Sequence, residues 1–254
     1  MLLYSYNCTI KLLNNNYMKK VFLTLALLGT AALAQAQVQI GPRVGVNVAT
    51  MDLGDREDKV ADGVGYAAGL NIGVASNIKF TEMFSFAPEI SFSQKGYKYA
   101  LGSSTISGTE EETFSTNYID MPLLLRGTFG SAVKGYVNAG PALSYWLSGR
   151  YKGNGNYTEN EVTQPFSYDL KVKFVDEYDQ IKTEEFVEVS KEHANRFEVG
   201  ASFGGGVMLP VAGHNILVDA RYTLVWKDLY KEMDANKKER NKFLTFSVIY
   251  LLGK

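Results

Sequence analysis

Eight segments of the chain alternate between apolar residues and small or polar residues with a period of two. In 40–49, Ile, Pro and three Val occupy the even positions, and Gly, Arg, Asn and Ala occupy the odd ones. Successive side chains of a β-strand point to opposite faces, so this pattern predicts strands whose two faces meet different surroundings. The seven other segments begin near residues 64, 84, 118, 136, 197, 216 and 244.

The connections between these segments alternate between long and short. The long polar connections are 51–63, 100–115, 149–195 and 227–241. The short turns lie near Asn77, at 130–135 and at 210–215. An up-and-down barrel with two distinct ends has this alternation, and in outer-membrane barrels the long loops face outside. We therefore predict an all-β fold, an eight-stranded antiparallel up-and-down transmembrane β-barrel with both termini in the periplasm.

A soluble ligand-binding barrel would also alternate, but its apolar face would point inwards. Here the polar face consists mainly of Gly, Ala, Ser and Asn, which fit inside a narrow ring, whereas a water-facing surface would carry many Lys and Glu. The apolar face is therefore predicted to contact lipid. Aromatic residues on this face are the predicted girdles at the two membrane interfaces: Tyr66, Tyr145, Tyr222, Trp226 and Tyr250.

Charged residues of both signs fall on the face that we predict to be inside the barrel. Four are positive and four are negative: Arg43, Lys95, Arg126, Arg221, Glu89, Asp120, Glu198 and Asp219. Unpaired charges are costly to bury and paired ones much less so, which favours a structural network that fills the lumen. A gated or substrate-binding lumen is the alternative. The same register places Leu124 inside, although it is apolar.

The N-terminal region predicts export. From Met18, "MKKVFLTLALLGTAALAQAQ" has a basic start, a short apolar run and an Ala34-Gln35-Ala36 cleavage site, as signal peptides do. We predict a signal peptide at 18–36, a barrel domain at 37–254, and a spurious extension at 1–17, so that Met18 rather than Met1 is the start. The only cysteine, Cys8, lies in that extension, so we expect no disulfide and no lipid anchor.

Four motifs give the chain a family resemblance. They are "GPRVGVN" at 41–47, "YIDMPLLLRG" at 118–127, "GYVNAGPALSY" at 135–145 and "DARYTL" at 219–224. Their order resembles the PorT-like outer-membrane β-barrel family of Gram-negative bacteria. The resemblance implies an eight-stranded membrane barrel and, through the name-giving member, a link to protein secretion. Such barrels usually end in an aromatic residue, whereas this chain ends "YLLGK".

The sequence gives little support to a catalytic or metal site. Ser190, Glu192 and His193 would suit a lipid-modifying hydrolase, but no predicted strand holds them, so we favour ordinary loop polarity. The acidic loop "DLGDREDKVAD" lacks the ligand spacing of an EF-hand, and "FGGGV" at 203–207 lacks the ending of a phosphate loop. We expect no enzyme activity, no cofactor and no metal.

The expected partners follow from charge and from the insertion at 149–195. A formal net charge of −1 argues against nucleic acid. We expect contacts with outer-membrane lipid and lipopolysaccharide, with the outer-membrane assembly machinery, and with an envelope protein through the insertion, where 166–176 and 184–190 predict a hairpin. We predict a non-enzymatic structural or interaction scaffold. The alternatives are an accessory role in transport or secretion, a lipid-modifying enzyme and a soluble ligand-binding barrel.

Overall fold

A computed structural model describes residues 37–52, 64–103, 108–159, 162–177, 185–230 and 240–253. The predicted extension at 1–17 with Cys8, the predicted signal peptide at 18–36 and most of the loop at 51–63 lie outside these ranges. Within them, no helix is long and apolar enough to cross a membrane.

Ten β-strands contain most of the described residues. They are β1 (Gln37–Asp52), β2 (Val64–Lys79), β3 (Phe84–Ser103), β4 (Gly108–Gly130), β5 (Lys134–Glu159), β6 (Val162–Val175), β7 (Phe186–Ser190), β8 (Phe197–Val211), β9 (His214–Val225) and β10 (Arg240–Leu251). Eight of them pair as a closed ring in the order β1-β2-β3-β4-β5-β8-β9-β10. Every pairing in the ring is antiparallel.

Burial alternates along the ring strands with the period seen in the sequence. In β10, every second residue from Asn241 to Leu251 is buried, and most of the residues between them are exposed. In β4, Leu124 is fully buried, whereas its neighbour Leu125 is 66% exposed. The ring thus has an apolar outside and a mainly polar inside, the reverse of a water-soluble protein.

Short turns join the ring strands at one end, which we call the short-turn end. They occupy 80–83, 131–133 and 212–213. The last is a two-residue hairpin in which Ala212 and Gly213 have φ angles of 51° and 83°. Positive φ at both central positions is the geometry of a type I′ turn, whose twist matches that of the flanking strands.

At the other end, the long-connection end, β3, β4 and β5 are longer than predicted. They contain 20, 23 and 26 residues, about twice what a bilayer crossing needs. The segment 100–115, predicted as a loop, extends β3 to Ser103 and starts β4 at Gly108. The expectation failed because these residues are mainly small, hydroxyl-bearing or acidic and resemble a polar loop in composition.

The strand ends beyond the ring form what we call the projecting sheet. It consists of 97–103 of β3, 108–117 of β4, 148–159 of β5, and the whole of β6 and β7.

The hairpin predicted between 166–176 and 184–190 is wrong. β6 pairs antiparallel with the end of β5, and β7 then pairs parallel with β6, from Lys171↔Phe186 to Val175↔Ser190. The ten residues 176–185 between the two strands reach up to about 33 Å. To pair in parallel, the chain must return from the end of β6 to the level of Lys171, past five paired residues, which is a distance of only about 13 Å. The connection length therefore permits either direction of β7.

Candidate functional site

The interior of the ring contains all eight charged residues that the sequence analysis placed there. Each of them is buried: Arg43, Glu89, Lys95, Asp120, Arg126, Glu198, Asp219 and Arg221. They lie at inward-facing positions of β1, β3, β4, β8 and β9. The alternation of each strand therefore directs them inwards, and ring closure decides which of them meet.

Glu89 is the centre of the larger group. Arg221 donates to both of its carboxylate oxygens, at 2.8 and 3.1 Å, and Arg43 donates to it from the other side. Arg221 also lies 3.0 Å from one carboxylate oxygen of Asp219, and the other oxygen of Asp219 accepts a hydrogen bond from the Tyr136 hydroxyl at 2.9 Å. Two guanidinium groups are thus balanced by two carboxylates, an arrangement that greatly reduces the cost of burying each charge.

A second group lies nearer the long-connection end. The Lys95 ammonium donates to Asp120 at 2.8 Å and to the Ser144 hydroxyl at 3.1 Å. It also lies 4.1 Å from the centre of the Tyr118 ring. This contact adds an attraction between the cation and the ring face.

Two of the eight charged residues have uncharged partners instead. Glu198 accepts hydrogen bonds from the Tyr118 hydroxyl at 2.7 Å and the Asn241 amide at 3.0 Å. Arg126 donates to the Asn77 side chain at 3.2 Å and lies 4.6 Å from the Tyr136 ring centre. The structure therefore pairs six of the eight charges directly and holds the other two by polar and aromatic contacts.

An aromatic cap closes the ring at the long-connection end. Trp146 is fully buried at its centre, with ring-centroid distances of 4.8 Å to Phe174 and 6.2 Å to Tyr230. Phe114 and Tyr118 lie 6.4 Å from it on other sides. We call these five residues the aromatic cap. They come from β4, β5, β6 and the segment after β9, so the cap exists only in the folded ring.

An apolar plug fills the short-turn end. Its buried members are Tyr136, Met208, Leu217, Ile249 and Leu251. Between the plug and the cap, a cavity of about 20 Å³ lies among the charged residues, which is room for one or two water molecules. The described side chains of the plug, the charged groups and the cap therefore occupy most of the ring interior.

The five predicted girdle residues all lie on the outward face. Tyr66 and Trp226 are strongly exposed, at 65% and 58%, and Tyr145 and Tyr250 are less so. Tyr222 packs edge-on against Phe203 at 5.6 Å and is partly buried. Tyr66 lies near the long-connection end of β2, and Trp226 directly follows β9 at the same end. Tyr145 lies where the pairing of β5 with β8 ends, whereas Tyr250 is near the short-turn end of β10.

One face of the projecting sheet is aromatic, which the sequence analysis missed. Phe114 stacks on Tyr151 at 4.2 Å and meets Tyr97 edge-on at 5.6 Å. On β6, the Tyr168 hydroxyl bonds to Glu112. A Cβ at Gly153 would lie 2.2 Å from the Tyr168 ring, so only glycine leaves room for this contact. The signal was present as "YKY" at 97–99 and "FSY" at 166–168, where aromatic residues alternate with polar ones.

The opposite face of the projecting sheet carries exposed ion pairs. Arg150 donates to both oxygens of Asp169, and Lys152 approaches the same carboxylate at 3.8 Å. The hydrogen bond from Arg150 lowers the pKa of Asp169 below its ordinary value. Lys173 pairs with Glu188 at 3.6 Å. Exposed pairs of this kind contribute little stability, so this face is available for contacts with other molecules.

Of the residues considered for hydrolase chemistry, Ser190 has a visible structural role. Ser190 is buried, and its hydroxyl accepts a hydrogen bond from the backbone N–H of Glu192 at 3.2 Å. This contact stabilises the turn after β7. Among the described residues, no group of three or more His, Cys, Asp or Glu side chains is placed to hold a metal ion.

A model of the outer membrane protein beta-barrel domain family matches residues 33–225. The chain belongs to this family. As an outer membrane β-barrel protein, it is located in the bacterial outer membrane. The match covers most of the chain but does not single out the PorT-like proteins, so the resemblance is borne out only at the level of the broader family.

Several solved structures are similar to this outer membrane β-barrel protein. Neisserial surface protein A is 13% identical, with a TM-score of 0.38 and coverage of 83% of this chain and 95% of that chain. The Ail protein of Yersinia pestis is 10% identical, with a TM-score of 0.36 and coverage of 85% and 99%. The N-terminal β-barrel domain of OprF from Pseudomonas aeruginosa is 10% identical, with a TM-score of 0.28 and coverage of 86% and 100%. No curated protein matches the chain.

Proposed function

We propose that the ring is an eight-stranded transmembrane β-barrel that holds the projecting sheet on the cell surface as a contact surface, without enzymatic activity. The observation that carries this proposal is the continuity of β3, β4 and β5, which run from the ring into the projecting sheet without a break. A sheet built on uninterrupted strands is rigid, and binding surfaces held by a rigid scaffold lose little entropy when a partner docks.

The sealed interior supports a scaffold rather than a channel. The aromatic cap and the apolar plug close the two ends, and paired charges fill the space between them. The outward face supports a position in lipid, because exposed Val, Leu, Ile and Phe side chains surround the ring. In this orientation the short turns and both ends of the barrel domain are periplasmic, and the assembly machinery inserts the protein from that side.

The two faces of the projecting sheet suit different contacts. The exposed face carries three basic residues, Arg150, Lys152 and Lys171, which lie farther from the ring than the girdle residue Tyr145. Ammonium and guanidinium groups just above the membrane interface suit the phosphates of lipopolysaccharide. The aromatic face, which includes Tyr97, suits an envelope protein, because aromatic residues are enriched at protein interfaces.

The two tryptophans provide a test of the orientation. Trp226 is exposed on the ring exterior and Trp146 is buried in the aromatic cap. In vesicles whose lipids carry bromine on the acyl chains, we expect strong quenching of Trp226 and weak quenching of Trp146. Trp146→Phe and Trp226→Phe variants isolate the two signals. Equal quenching of both residues, or none of Trp226, would contradict a lipid-facing exterior.

A charge on the ring exterior should be costly only in a membrane. Val46 is 49% exposed near the middle of β1. Val46→Lys is expected to lower the free energy of unfolding from vesicles by about 2–4 kcal/mol, because a lysine near the bilayer centre loses its hydration. Urea titrations measure this loss, with Ser167→Lys, at an exposed position of β6 opposite Asn154, as the control for which we expect a change near zero. Similar values for the two variants would show that water, not lipid, surrounds the ring.

A further inference from the structure

The short-turn end of the ring contains a pocket that the proposed scaffold does not use. This cavity of about 70 Å³ lies outside the apolar plug, beside the turn at 80–83. Side chains from the ends of several ring strands line it, among them Lys79, Lys134, Thr81, Thr128 and Asn215. The pocket therefore faces the side opposite to the projecting sheet.

The two lysines in this pocket have no carboxylate partner. Neither Lys79 nor Lys134 forms an ion pair with any residue that the structure describes. The nearest polar contact of the Lys79 ammonium is the Gln37 amide oxygen, at 3.5 Å. The Lys134 ammonium adds a second positive charge to the same pocket, and the two charges repel each other. A bound negative charge would relieve this repulsion.

The charges around the pocket add to its positive character. Arg126 lies on the inner side, where it donates to Asn77, a residue that also lines the pocket. One carboxylate, that of Glu82 in the exposed turn, lines the pocket as well. The interior carboxylate nearest in the network, Glu89, is occupied by two other arginines. Three cations thus meet one carboxylate here.

The pocket also offers a neutral donor. The Thr81 hydroxyl oxygen accepts hydrogen bonds from the backbone N–H groups of Met83 at 3.2 Å and Phe84 at 2.9 Å. With its acceptor sites used in this way, the hydroxyl keeps its own proton to donate. Two ammonium groups and a hydroxyl donor are a set that suits an oxyanion.

We propose that this pocket binds a small oxyanion, a phosphate or carboxylate group, between Lys79 and Lys134. Binding neutralises the two lysines at the mouth of the ring. The proposal does not depend on the function of the projecting sheet, since the two lie at opposite ends of the ring.

The test uses the full barrel domain in detergent micelles with its lysines carrying ¹³C-methyl groups, which keep the positive charge. Sodium phosphate, sodium acetate and sodium chloride are titrated separately at equal ionic strength, and the lysine methyl resonances are followed by NMR. We expect saturable shifts of the methyl resonances of Lys79 and Lys134 with phosphate or acetate. Exposed Lys98 in β3 is the internal control and should respond to all three salts alike.

A variant distinguishes binding of the oxyanion in the pocket from non-specific screening of the lysine charges by salt. Lys134→Gln is expected to weaken the saturable response at Lys79 by about tenfold, because one charge-assisted contact to the anion is lost. Heat-modifiable gel migration checks that the variant folds. Non-saturable shifts, or shifts equal to those with chloride in the unmodified sequence, would overturn the proposal. A response at Lys79 that Lys134→Gln leaves unchanged would also overturn it. A response to phosphate alone or to acetate alone supports it and identifies the preferred group.

Discussion

Glu89→Gln is expected to lower the free energy of unfolding by about 3–5 kcal/mol. Glu89 is buried and accepts hydrogen bonds from both Arg43 and Arg221. Glutamine has nearly the same size, so packing is retained while the negative charge is lost. The two guanidinium groups then share only Asp219, on the far side of Arg221, and one buried positive charge is left without compensation.

Urea titration of the protein in vesicles measures this effect, and the exposed Arg150–Asp169 pair provides the control. Asp169→Asn removes a carboxylate that has two basic neighbours, but water screens the charges at this exposed site. We therefore expect the free energy of unfolding to fall by at most about 1 kcal/mol. The double variant Glu89→Gln/Arg43→Gln removes one unpaired cation and should be more stable than Glu89→Gln alone. If Glu89→Gln cost no more than Asp169→Asn, the interior charges would not be a compensated network.

Trp146→Ala is expected to lower the free energy of unfolding by about 3–5 kcal/mol, since it leaves a large cavity at the centre of the aromatic cap. Trp146 is fully buried and contacts Phe114, Tyr118 and Phe174. Its indole N–H also donates to the backbone carbonyl of Ser148 at 2.9 Å. Truncation therefore removes packing that joins β4, β5 and β6.

The same titration measures this loss, with Trp226→Ala as the matched control. Trp226 is on the ring exterior and loses fewer protein contacts, so we expect less than half the effect of Trp146→Ala. Planar-bilayer recordings add a functional readout. We expect no step currents from the unmodified protein, and none from Trp146→Ala, because the apolar plug still closes the short-turn end. Step currents from the unmodified protein would show that the interior is a pore.

The alternation of apolar and polar residues did not predict the strands of the projecting sheet. Inside the ring, lipid on one side and a crowded interior on the other force a strict contrast between the two faces. In the projecting sheet no lipid imposes this contrast, and both faces carry polar or charged residues, as Glu112 and Thr113 illustrate. The contrast disappears there, and the segments 100–103, 108–115 and 149–159 look like loops although they are paired strands.

Partner choice inside the ring could not be read from the sequence either. The alternation places Glu89 on the inward face, but not next to Arg221, which is 132 positions away along the chain. That contact depends on strand tilt and stagger in the closed ring. The same holds for the aromatic cap, where Trp146 meets Phe174 and Tyr230 only after β6 folds back on β5.

The eight ring strands and the face that each of their side chains occupies could be read from the sequence, because both follow from the two-residue period of a strand. Leu124 in "YIDMPLLLRG" is apolar, yet it lies inside the ring, as its position in the alternation requires. The pairing of the buried charges, the aromatic cap and apolar plug at the two ends, and the parallel attachment of β7 became visible only in the folded chain. Those features depend on contacts between residues distant in the chain, which closure of the ring brings together.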